Sequence, residues 1–134
     1  MLSRIIELEG EIEMADINRV ELFGRFGNDA EFRTTRSGRE IASFSLATDT
    51  GHFDKDKGGW QENLQWHKIV TFQKGLIAVL KDRGKKGVRV IVSGELTYLT
   101  WRKDGEATDR RETEIVVGMD GGLNFVDRDR DGAR

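Results

Sequence analysis

The feature that most constrains this chain is an alternation of apolar and polar residues, repeated in five segments and broken once. In a strand successive side chains point to opposite faces, so period two marks a half-buried strand. Asn18–Phe26 sets Val20, Leu22, Gly24 and Phe26 against Arg19, Glu21, Phe23 and Arg25. Glu31–Thr35 continues it after a break at Gly27-Asn28-Asp29, and Ser37-Gly38-Arg39 signals a turn. Ile41–Thr48 is a second strand with Phe44 and Leu46 facing the core, and Gln65–Phe72 a third. Between them Thr50–Asn63 is a polar loop. Leu76, Ile77, Val79 and Leu80 then recur at helical spacing. That helix ends at Gly84 or Gly87, with Lys81, Arg83, Lys85 and Lys86 where its dipole favours cations. Val88–Trp101 is a long fourth strand, Lys103-Asp104-Gly105 a hairpin turn, and Arg110–Val117 a fifth strand.

The predicted fold class is all-β. Three strands, one short helix between the third and fourth strands, then two strands is the order of the OB-fold, a five-stranded Greek-key barrel that offers a sheet face and two loops to oligonucleotides or oligosaccharides. Gly94, inside the fourth strand, suits the bend that barrel closure needs. At 134 residues the chain fits one domain. The expected organisation is an appendage over residues 1–14, a barrel over 15–126 and a short charged, disordered tail over 127–134. In the appendage, Leu2, Ile5 and Ile6 have the spacing of one helical turn. Its acidity and lack of a long apolar stretch do not fit a targeting signal.

Parity singles out three aromatic residues. Trp66, Lys68, Val70 and Phe72 share one face of the third strand. Trp101 ends a strand whose other parity, Val88, Val90, Val92 and Leu96, already supplies a core face. Flat side chains beside cations on an open sheet suit the stacking of unpaired bases. The same trio also suits a second core or a subunit interface.

Composition excludes several classes. No apolar run approaches a membrane span. Without cysteine there is no disulfide framework, thiol nucleophile or thiolate metal site. The net charge is −2, so binding of an anion must come from local clusters of cations. Two histidines, His52 and His67, support no nucleophile–base–acid set, and no enzyme activity or cofactor is expected. His67 has the wrong parity for the aromatic face. Asp127-Arg128-Asp129-Arg130-Asp131-Gly132 matches the start of an EF-hand loop but lacks its twelfth-position Glu, so no metal site is expected.

Residues 15–126 resemble the bacterial-type single-stranded DNA-binding proteins. The resemblance rests on INRVELFGRFGNDAEFR, IASFSLAT, LQWHKIVTFQK and VIVSGELTYLTW. It implies base stacking by Trp66, Phe72 and Trp101, and phosphate contacts from Arg33, Lys68, Lys74 and Lys86, with Arg102 and Lys103 extending that path. It links His67 to subunit association. Where the family has a further aromatic, this chain reads His52-Phe53, and Trp60 is an alternative replacement. Thr97-Tyr98-Leu99-Thr100 stands where the family is often basic. The implied function is sequence-independent binding and protection of single-stranded DNA in replication, repair and recombination. The implied setting is a cytoplasmic, nucleoid-associated homotetramer without membrane contact. The long tail with an acidic tip, through which bacterial members dock partners, has no counterpart here, so docking of that kind is not expected. Two alternatives stand: another OB-fold module, primosomal or RNA-binding, or an interaction protein whose aromatic face meets another protein.

Overall fold

The computed structural model describes residues 5–8 and 11–126. Its centre is a ring of five strands. They are β3 (Val20–Phe26), β5 (Glu40–Asp49), β8 (Leu64–Thr71), β10 (Arg110–Val117) and β9 (Arg89–Trp101), each hydrogen-bonded to the next, with β9 returning to β3. β10 closes the ring, running parallel to β8 and antiparallel to β9. This is the OB-fold barrel that the strand order predicts. One helix, α1 (Lys74–Arg83), lies between β8 and β9.

The inward parities interlock as the alternation requires. Ala42, Phe44 and Leu46 of β5 meet Ile69 of β8, Val90 and Val92 of β9, and Ile115 and Val117 of β10 in one core. Phe26 stacks on Phe44 with ring centres 4.0 Å apart. Thr71 is buried in this core, and its hydroxyl donates to the Val117 carbonyl at 2.8 Å, so burial leaves no unmet donor. α1 covers the core with Ile77 and Leu80. It stops at Gly84, whose N–H donates to the Leu80 carbonyl at 2.8 Å, and Lys81 and Arg83 sit in its last turn. Gly94 is required by contact: a Cβ there would press on the Val116 carbonyl and the Ile115 side chain, where β9 curves against β10.

Several expectations change. The first strand begins at Val20, and the side chain of Asn18 bonds both the N–H and the C=O of Leu96, at 2.9 and 2.8 Å. Glu31–Thr34 is a strand of its own, β4, paired with β5. The loop 50–63 contains a hairpin, β6 (His52–Asp54) with β7 (Gly59–Gln61). β11 (Gly122–Val126), which alternation over so few residues does not reveal, pairs with β9. β8 ends at Thr71, so Phe72 lies just past the strand. Ile5 and Ile6 belong not to a helical turn but to β1 (Ile5–Leu8), paired with β2 (Glu11–Met14) in a separate two-stranded sheet. Leu2, the EF-hand-like stretch and the expected tail over 127–134 lie outside the described residues.

Candidate nucleic-acid interface

Register shows which side chains share the outer face of the barrel. Trp66 is opposite Ala47 and Lys68 opposite Ser45. On β10 the same face carries Arg110, Glu112 and Glu114, which stand opposite Trp101, Leu99 and Thr97 of β9. Trp66 and Trp101, 61% and 41% exposed, therefore lie on one continuous surface. Val70 shares the parity but is only 5% exposed, so the open part of β8 ends at Lys68.

The Trp66 ring lies against Gly27, and any Cβ at that position would strike its six-membered ring. A residue almost forty positions away in the sequence thus seats the indole. Phe72 is half-buried, and the Arg39 guanidinium sits 4.3 Å from its ring centre, which leaves it the least accessible of the three aromatics that sequence parity grouped together.

The loop hairpin brings two more rings together. Phe53 and Trp60 are register partners, 64% and 54% exposed, so they share one face of β6–β7. His52 pairs with Gln61 and points the other way. Asp49 holds this loop to the barrel. Its carboxylate accepts from the Asn63 N–H at 3.0 Å, the Trp60 indole N–H at 2.9 Å and the Gly51 N–H at 3.0 Å. Those donors, led by the Asn63 N–H, hold its pKa below the ordinary aspartate value.

The six candidate phosphate contacts divide by electrostatics. Lys68 is held between Glu114 at 3.6 Å and Glu112 at 4.0 Å. Arg102 pairs with Asp109 at 2.9 Å. Arg33 is exposed on β4, Lys74 opens α1, Lys86 lies exposed beyond it, and Lys103 sits in the turn at the tip of the β9–β10 hairpin. None of these four side chains is ion-paired with a carboxylate among the described residues, although the Lys86 backbone N–H donates to the Asp29 carboxylate at 2.8 Å. Thr97-Tyr98-Leu99-Thr100 carries no cation of its own, but Arg110, directly across from Trp101, brings one from the facing strand. Arg110 is itself bonded to Glu106 at 2.7 Å.

His67 points to the inner side, and its Nε2 lies 2.9 Å from the Thr48 hydroxyl, with burial lowering its pKa. Among the described residues no group of three His, Cys, Asp or Glu could hold a metal ion, and no helix is long and apolar enough to cross a membrane. Sequence parity did not find Gly27, Asp49, Glu112 or Glu114. Gly27 and Asp49 act through contacts between distant segments. The two glutamates are visible in the sequence, but only strand register puts them beside Lys68.

A closed OB-fold barrel bearing exposed indoles on one outer face defines a class of oligomer-binding domains. Comparison with known proteins narrows the class. The chain matches the single-strand binding protein family over residues 17–120, and it belongs to that family. It is 36% identical over 112 residues to the single-stranded DNA-binding protein of Rhizobium meliloti (strain 1021), a match covering 83% of this chain and 64% of the relative. It is 34% identical over 101 residues to the one from Rickettsia felis (strain ATCC VR-1525 / URRWXCal2), covering 75% of this chain and 66% of that protein. The match thus spans a little under two thirds of each of these curated relatives. Among solved structures, the Plasmodium falciparum SSB in complex with ssDNA superposes with a TM-score of 0.72 at 28% identity, over 86% of this chain and 99% of that one.

Proposed function

We propose that this chain binds single-stranded DNA without reading its sequence and takes no part in bond making. The observation that carries this is the exposure of Trp66 and Trp101 on one face of the barrel. A duplex buries its base faces, so a surface of stacking rings selects unpaired strands. Phe53 and Trp60 extend that surface at the loop, and Phe72 contributes where Arg39 gives way. Arg33, Lys74, Lys86 and Lys103 line the phosphate path, with Lys68 and Arg102 joining only at the cost of their ion pairs. Bound strands are held open and shielded during replication, repair and recombination. The cellular setting is the nucleoid in the cytoplasm.

The assembly is a homotetramer. An apolar spot on the outer face of β3 and β9, where Phe23 is 48% exposed and paired with Ile91, supports contact between copies. His67 contributes to association by holding the barrel end in shape through Thr48.

Titration of tryptophan fluorescence with poly-dT, RNA and duplex DNA tests the function, and mass measurement of the complex tests the assembly. Strong quenching by poly-dT, weaker by RNA and absent with duplex, is expected. Equal affinity for all three overturns the reading, and no quenching at low salt favours a protein-binding role for the aromatic face.

A further inference from the structure

β10 parts from β8 before Ile115, and β9 parts from β3 after Gly94. Residues 97–101 and 110–114 therefore run on together as a two-stranded ribbon. Alternation gives this ribbon two different faces. Thr97, Leu99 and Trp101 stand on the outer one. Tyr98 and Thr100 stand on the reverse, with Thr113 and Arg111 opposite them. Within the barrel that reverse parity is the core side, as Val90 and Val92 show, but out here no core layer among the described residues packs on it and Tyr98 is 54% exposed. The Arg111 guanidinium lies 4.5 Å from the Tyr98 ring centre. More than half of the tyrosine is open, so ring surface remains available beside the guanidinium.

We propose that Tyr98 and Arg111 form a further stacking site for one unpaired base of a single-stranded nucleic acid, on the ribbon face opposite Trp101. The inference rests on the DNA-binding reading and adds a position to it. The phenol offers a flat π surface of the kind that bases stack on regardless of sequence. The guanidinium beside it is planar, carries a permanent charge and forks toward phosphate oxygens. The ribbon is only two strands wide, roughly 5 Å between strands, so a flexible strand stacked at Trp101 can turn over its edge onto Tyr98. Backbone alternation directs the N–H and C=O of Tyr98 to the edge where Asn18 bonds Leu96, placing a donor and an acceptor along that turn. β10 thereby supplies Arg111 to the reverse face of the ribbon, whereas Arg110 on the Trp101 face is already held by Glu106.

The alternative role for the pair is mechanical, a cross-strand contact that stiffens the ribbon. Oligo-dT of roughly 4 to 16 nucleotides, the site-size range of one such barrel, separates the two. Tyr98→Ala and Tyr98→Leu should weaken the longer oligomers about tenfold, in line with the loss of one stacked base, while the shortest bind as to wild type. Tyr98→Phe, which keeps the ring, should restore the loss. In wild-type protein, an oligomer carrying 5-iododeoxyuridine should crosslink to Tyr98 on irradiation. If both ring-deleting variants match wild type at every length, with tryptophan quenching retained, the Tyr98 site is overturned and DNA binding stands. A loss that is equal at all lengths and accompanied by a lower melting temperature also overturns it, in favour of the mechanical role. If wild-type protein quenches with no oligomer, the DNA-binding reading itself fails, and this site with it.

Discussion

At the scale of single residues, the proposed function assigns the binding to the indoles, with a few neighbours setting how well they are presented. Each stacked base contributes roughly 1–3 kcal/mol, so Trp66→Ala or Trp101→Ala should weaken oligo-dT binding by about one to two decades in a fluorescence or anisotropy titration. Gly27→Ala should weaken it too, because the added methyl displaces the Trp66 ring, and the Trp66 emission should shift with it. Lys68 is a different case. Glu112 and Glu114 already hold its charge, so Lys68→Ala should change affinity by less than about threefold, the scale of an exposed ion pair. Glu112→Gln with Glu114→Gln should tighten binding, and adding Lys68→Ala to that pair should cancel the gain. The cationic residue next to Trp66 was legible in the sequence; its neutralisation was not, because it depends on β8 and β10 being neighbours although some forty residues separate them.

At the scale of elements, the barrel strands announce themselves and the short ones do not. β5 and β9 are long, so their alternation is unambiguous, and both match expectation within a residue or two. β6 and β7 have three residues each and are fixed by Asp49 rather than by any pattern of their own. Three hydrogen bonds to the charged form of Asp49 depress its pKa. Its contribution to loop order is therefore complete above the ordinary aspartate pKa and is lost as pH falls through the lowered one. Trp60 emission should hold steady from neutral pH down to about pH 4 and change only below it. Asp49→Asn should produce that change at pH 7, together with weaker binding if Phe53 and Trp60 engage the strand. Phe72 shows the opposite limit. Its parity was right in the sequence, but the strand stops one residue short of it and Arg39 closes over the ring.

For the whole molecule, a net charge of −2 already argued against long-range attraction, and the ion pairs sharpen that. Engaging all six candidate cations would give a slope of log K against log salt of about −4.2; with Lys68 and Arg102 committed to carboxylates, about four remain and the slope moves to about −2.8. A measured slope of about −4.2 would mean that those ion pairs open on binding. Stability should respond to pH through His67. Burial lowers its folded pKa, so the unfolded chain takes up the proton first, and stability falls as pH drops below about 6.5 toward the folded value. Thermal melts at pH 7.5 and 5.5 check this, and His67→Gln should flatten the difference.

β9 is the longest strand, 13 residues, and runs without interruption from the core to the ribbon that carries Trp101. β3, β10 and β11 all bond to it. A strand of DNA pulled while bound at Trp101 therefore loads a rod clamped along most of its length by neighbouring ladders, whereas each stacked base is held by its own ring. Under tension the weaker links in series give way first. The DNA should peel off base by base while the protein stays folded, free to take hold again a few nucleotides along.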